Sequence, residues 1–119
     1  FAHGFEGAKN FSNKLKHGEA VLLGMMIASE LSNKIKKLPL KDLLLIQKHY
    51  LNLKLPMFIK KTFKKNEVKK IVNFMGKDKK NIDEKINLIL LKKIGKTTRP
   101  KQIALKDNEI KKFLTSYYI

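Results

Sequence analysis

From Ala20 to Ala28 the chain carries no charge and is apolar on every side, so a helix built from this run has no polar stripe and must be enclosed. The spacing continues through Leu31 and Ile35 to the lysines at 36 and 37, and Pro39 marks the stop, which predicts a central helix over about 18–35. Ala20, Gly24 and Ala28 recur every four residues and leave one flank nearly bare, a surface suited to close packing by another helix. A second helix is predicted from Leu40, Leu43, Leu44, Ile46, Tyr50 and Leu51, with Asp42 in its first turn. Leu55-Pro56-Met57 breaks it, and a short turn over 58–63 directs Ile59 and Phe63 inward. Asn66 as cap, Glu67, then Val68, Ile71, Val72 and Met75 predict a third helix ending near Gly76.

Ahead of the central helix, residues 1–8 can turn so that Phe1, Phe5 and Ala8 share one face and His3 and Glu6 another, like the tail of a helix begun upstream. Gly4 and Gly7 are poor interior residues, which implies that something approaches this backbone closely. Residues 10–16 read as a polar loop. From Lys85 the period changes to alternation, with Ile86, Leu88 and Leu90 on one side, and Ile94-Gly95-Lys96 supplies a turn. A return strand over 97–104 is confined to an edge by Pro100. Asp107 caps a final helix that directs Ile110, Phe113 and Leu114 inward. The expected fold is mainly α, multihelical, with at least four helices and one small β-hairpin, all within one domain spanning 1–119.

Composition changes this picture little. The chain has 119 residues, with 27 basic against 10 acidic ones and a net charge of +17. Arg99 is the only arginine, whereas base and phosphate recognition draws on the bidentate arginine fork, and the basic clusters lack interleaved aromatics. A small basic helical module that binds nucleic acid is therefore the weaker alternative, and no nucleic-acid partner is expected. The apolar run is far short of the ~20 residues that a bilayer requires, so no membrane span is expected. Cysteine is absent, which excludes disulfides and thiolate metal sites and suits a reducing compartment. There is neither a signal peptide nor an initiator methionine, and the opening Phe1-Ala2-His3 reads as though cut from a longer chain.

Two histidines carry candidate chemistry. His17 falls at the start of the central helix, where unpaired N–H groups and the helix dipole favour an anion or an oxygen-rich ligand. His3 lies 14 residues earlier, across a turn that could bring both rings into one pocket, with Glu6 and Glu19 nearby. A catalytic zinc generally takes three protein ligands from histidine and carboxylate, and here only these two histidines with Glu6 and Glu19 are available, so a metal site is one reading. His49 reads as a surface residue. Lys77-Asp78-Lys79-Lys80-Asn81 reads, on its own, as a solvated loop.

The series FAHGFE, KHGEAVLLGMMIAS, LP, MGKDKKN and INLILLKKIGK, in that order and spacing, resembles the C-terminal part of the 3-dehydroquinate synthase family of sugar-phosphate cyclases over essentially the whole chain. The resemblance implies a helical domain that follows an N-terminal nucleotide-binding domain absent from this sequence. It also implies conversion of 3-deoxy-D-arabino-heptulosonate 7-phosphate to 3-dehydroquinate and phosphate, in the shikimate pathway of aromatic amino-acid biosynthesis. The cofactors implied are NAD and a divalent metal, zinc or cobalt; the partners are a phosphorylated sugar-acid substrate and the chain's own N-terminal domain. A cytoplasmic enzyme, homodimeric when full-length, is expected, and a sister cyclase of the inosose or valiolone synthase type is the alternative.

By position, the resemblance makes His17 a metal ligand and His3 a residue contacting substrate near its phosphate. A second metal-binding histidine would lie two residues before Phe1, and a glutamate ligand would come from the N-terminal domain. Lys79, with Lys80 as the close alternative, matches the family's phosphate-binding lysine, which displaces the solvated-loop reading. Glu6 and Glu19 match recurrent acidic positions and are expected to orient the histidines. No residue of this chain is expected to hold NAD.

Overall fold

The computed structural model describes residues 1–77 and 85–119. Among these residues five helices and four short strands follow in order: α1 (Ala2–Ala8), α2 (His17–Lys34), α3 (Leu40–Leu53), α4 (Val68–Lys77), β1 (Lys85–Leu88), β2 (Leu91–Lys93), β3 (Lys96–Thr97), β4 (Ile103–Lys106) and α5 (Asp107–Thr115), with single 3₁₀ turns at Ile59–Lys61, Lys65–Glu67 and Ser116–Tyr118. The mainly helical architecture agrees with the sequence pattern, but the central helix is not enclosed on every side: Met25, in the middle of the uncharged run, is 56% exposed, because α3 and the β-region do not close over that flank. Leu23, Met26 and Ile27 of α2 are buried, as are Phe5, Ile71, Ile110 and Leu114 contributed by the helices around it.

Three helical starts, those of α2, of the 3₁₀ turn leading into α4 and of α5, are fixed by one repeated device. A glutamate three residues in accepts the backbone N–H of the lysine that precedes the helix: Glu19 from Lys16 (3.0 Å), Glu67 from Lys64 (2.9 Å) and Glu109 from Lys106 (3.1 Å). The cap positions at Asn66 and Asp107 predicted from sequence are thus corrected. Asn66 lies inside the 3₁₀ turn that leads into α4 and Asp107 is the first helical residue, because glutamate at N3 supplies the acceptor.

α1 is a seven-residue helix with two glycines, which local propensity does not favour. It forms because both glycines face α4. A Cβ on Gly4 would lie 2.7 Å from the Ile71 carbonyl oxygen, and one on Gly7 would lie 2.2 Å from the Phe74 ring. On the other side, a Cβ on Gly24 would lie 3.1 Å from the Ala2 nitrogen, so the bare flank of α2 receives α1, as its spacing predicts.

The β-region is one excursion folded back on itself but divided into two ladders. β1 pairs with β4 from Lys85 opposite Lys106 to Leu88 opposite Ile103, and β2 pairs with β3. Between them buried Thr98 replaces the regular ladder: its N–H donates to the Leu90 carbonyl (2.8 Å) and its Oγ1 accepts the Leu90 N–H (3.0 Å). The return strand therefore does not run unbroken over 97–104. Pro100, without an N–H, lies in the interruption, where Lys101 adopts φ 63°.

The stripe on α3 behaves unlike its prediction. Leu43 and Tyr50 are buried, the latter donating its hydroxyl to the Leu22 carbonyl (2.7 Å), but Leu40, Leu44 and Leu51 are more than half exposed. Leu45 with Met25, Ile89 and Ile94 lines an apolar groove of about 500 Å³ between α2, α3 and the β-region. Glu30 joins α2 to both α3 and the C-terminus, accepting from Gln47 Nε2 (3.1 Å) and the Tyr117 hydroxyl (2.8 Å). Burial raises the Glu30 carboxyl above its ordinary value against these two hydrogen bonds, and burial together with the adjacent Glu30 pushes the Tyr117 hydroxyl up.

Candidate active site

The first turn of α2 and the exposed side of α1 meet at one contact. His17 Nδ1 lies 3.0 Å from Glu6 Oε1, with the His17 side chain 76% exposed and that of Glu6 largely covered. The contact exists because α1 packs along the bare flank of α2, so the sixth residue of the chain reaches the first residue of the central helix. With Glu6 ionised and the imidazole neutral, the shared proton sits on Nδ1 and Nε2 presents a free lone pair. A carboxylate behind the imidazole with its far nitrogen open is the arrangement that orients a metal-binding histidine. The chemistry of this pair fits a divalent metal, with His17 Nε2 as one ligand. Among the described residues no group of three or more histidines, cysteines, aspartates or glutamates could hold an ion by itself, so further ligands would have to come from elsewhere.

Glu19 serves the helix start: its Oε1 accepts the Lys16 N–H and so caps the helix that carries His17. Gly18 has open space where a side chain would stand, so nothing crowds the ring beside it.

His3 lies one turn before Glu6 on the same helix. Its ring packs against Phe11 (centroids 5.7 Å apart) and Phe74 (6.4 Å), and those two pack edge-on to each other at 5.7 Å. Reading residues 10–16 as a polar loop overlooked Phe11. Asn10 and Phe11 both adopt left-handed backbone, φ 57° and φ 53°. Asn tolerates this, but a bulky side chain pays roughly 1–2 kcal/mol for it. The turn is secured by Phe11 N–H to the Glu6 carbonyl (2.8 Å), Asn10 N–H to the Gly7 carbonyl (2.9 Å) and Lys70 Nζ to Asn10 Oδ1 (2.9 Å). The one sequence signal for it was an isolated aromatic after asparagine. Behind this layer Lys9 bonds Glu67 at 3.2 Å. Burial would raise Glu67, but the Lys64 N–H, the Lys9 hydrogen bond and the charges of both lysines outweigh it and hold the carboxyl below its ordinary value.

Lys79 and Lys80 lie outside the described residues. His49 is exposed on α3 at the edge of the apolar groove, away from the Glu6–His17 pair. Among the described residues no helix is long and apolar enough to cross a membrane.

Comparison with known proteins is decisive at the level of family. Residues 1–81 match the family model described as 3-dehydroquinate synthase C-terminal. The chain belongs to this family. It is 47% identical over 95 residues to the 3-dehydroquinate synthase of Pelagibacter ubique, covering 80% of this chain and 26% of that protein. It is 36% identical over 121 residues to the enzyme of Endomicrobium trichonymphae, covering 98% of this chain and 30% of that one. The chain thus spans less than a third of the length of these relatives. A crystal structure of 2-deoxy-scyllo-inosose synthase complexed with carbaglucose-6-phosphate, NAD+ and Co2+ shares the fold, with TM-score 0.65 and 19% identity over 98% of this chain and 32% of that one.

Proposed function

We propose that this chain is the substrate- and metal-facing part of a 3-dehydroquinate synthase, a cyclase that converts 3-deoxy-D-arabino-heptulosonate 7-phosphate to 3-dehydroquinate with release of phosphate. The observation that carries the proposal is the Glu6–His17 pair, set on the HGEA helix start of a chain whose family match covers both residues. His17 Nε2 would hold a divalent metal, and Glu6 fixes the tautomer and direction of the ring. A divalent metal held there would supply Lewis-acid polarisation of the substrate hydroxyl, and NAD held by the N-terminal domain would supply the redox chemistry. Glu19 keeps the helix start closed on its lysine cap, so His17 is presented from fixed backbone. His3, one turn before Glu6, contacts the substrate near its phosphate, and Lys79 with Lys80 neutralises that phosphate. The partners are the phosphorylated sugar acid and the chain's own N-terminal domain, in a cytoplasmic homodimer.

The test is an assay of the complete enzyme that contains this chain, supplied with NAD, divalent metal and 3-deoxy-D-arabino-heptulosonate 7-phosphate. The expected result is stoichiometric 3-dehydroquinate and phosphate, lost with His17→Ala. Turnover of a different sugar phosphate to an inosose or valiolone, with none of this acid, would replace the proposal by the sister cyclases.

A further inference from the structure

The Phe11 ring stands 57% exposed on a backbone conformation that a bulky residue avoids, a combination that neither core packing nor loop chemistry explains. What the conformation achieves is direction. Two successive left-handed residues turn the chain back across α1, and the ring, though more than half exposed, lies 5.7 Å from His3 and 5.7 Å from Phe74. Phe74 in turn is seated over Gly7, where the absence of a side chain gives it room.

We infer that Phe11 is a positioning residue for His3: with Phe74 it packs against one side of the imidazole and fixes the orientation in which the ring meets the substrate phosphate. Glu6 links this aromatic cluster to the metal side. Its carbonyl anchors Phe11 at 2.8 Å while its carboxylate holds His17 at 3.0 Å, so the two histidines are oriented from the same residue. Lys70 on α4 holds Asn10 and so fixes the other half of the turn. The inference rests on the reading of His3 as a substrate-contacting residue, but the orientation of the ring can be measured without substrate.

The experiment uses the complete enzyme labelled with 13C at histidine Cε1, the His3 signal being assigned by its loss in His3→Ala. Phe11→Ala should shift and broaden the His3 resonance and leave that of His17 in place, while Phe11→Tyr keeps the native signal. In kinetics, Phe11→Ala should raise KM for the phosphorylated substrate about tenfold with kcat nearly unchanged, and should add nothing in a His3→Ala background. An unmoved His3 resonance in Phe11→Ala overturns the inference, as does an equal kinetic cost with and without His3. If His3→Ala leaves KM untouched while Phe11→Ala still displaces the resonance, the substrate role of His3 falls and the positioning stands.

Discussion

The two sides of α2 are built from similar sequence material and end in opposite states. Toward α1 and α4 the backbones approach until Gly4 and Gly7 have no room for a methyl group and Gly24 has little, and the histidine–carboxylate pair sits at the end of that seam. Toward α3 and the β-region, leucines and isoleucines of equal hydrophobicity stay more than half exposed around an open groove. Apolar content does not separate the two sides; small residues do. Glycine at the seam lets helices close on each other and hold a polar pair in one geometry, whereas leucine on α3 keeps its neighbours apart.

The contrast is tested first at the histidines. His17 on the seam and His49 on the groove are both exposed, yet among the described residues only His17 has a carboxylate partner, Glu6 at 3.0 Å. In the complete enzyme His17→Ala should reduce metal-dependent turnover to background, Glu6→Gln should cost roughly 10- to 100-fold in activity or metal affinity, and His49→Ala should cost almost nothing. Equal losses at positions 17 and 49 in a steady-state assay would show that the seam has no chemical privilege.

Next in size is Lys79. A charged hydrogen bond to a phosphate typically contributes ~1.5–3 kcal/mol, so Lys79→Ala should lower kcat/KM roughly tenfold to a hundredfold. Full activity in both Lys79→Ala and Lys80→Ala would overturn the phosphate-binding assignment of these two lysines.

The packing itself can be broken on one side and not on the other. Gly7→Ala drives a methyl into the Phe74 ring, an overpacking cost of ~1–3 kcal/mol partly offset by the better helix propensity of alanine. A net destabilisation of roughly 1–2 kcal/mol is expected in urea titrations, relieved by Phe74→Leu, which frees the space. Leu44→Ser, on the exposed face of α3, should stay within about 0.5 kcal/mol of the parent. A loss at Leu44 as large as that at Gly7 would mean that the α3 face is covered in solution.

How much of this was legible beforehand divides along the same line. The 3.6-residue period placed every long helix to within a residue or two, and the four-residue spacing of Ala20, Gly24 and Ala28 predicted the flank that α1 occupies. His3, Glu6 and His17 could be singled out by type and spacing. That Glu6 rather than Glu19 meets His17 could not, because it depends on how α1 lies along α2, and a glutamate three residues into a helix has a competing local partner in the cap N–H. The exposed leucines of α3 were unreadable for a related reason: periodicity says which residues share a face, not whether another element reaches that face. Phe11 was missed because left-handed backbone at a non-glycine residue leaves no pattern of its own.

The smallest effect lies at Glu30, a carboxylate tied to both α3 and the C-terminus. Burial raises its pKa in the folded chain, so the folded state takes up a proton more readily than the unfolded one. The sign follows. Its contribution to stability is fully present below the ordinary carboxylate value of 4.5 and is lost as pH rises through the raised folded value. Glu67, held below its ordinary value, has the opposite slope, its contribution being present above 4.5 and lost as pH falls through the lowered value. The stability of the parent relative to Glu30→Gln, followed by urea denaturation, should therefore fall as pH is raised above 4.5, and that relative to Glu67→Gln should fall as pH is lowered below it. A parent-to-Glu30→Gln difference that grew with pH would mean that the Tyr117 and Gln47 hydrogen bonds outweigh burial, and the joint between α3 and the C-terminus would then be a true anion site rather than a half-dried one.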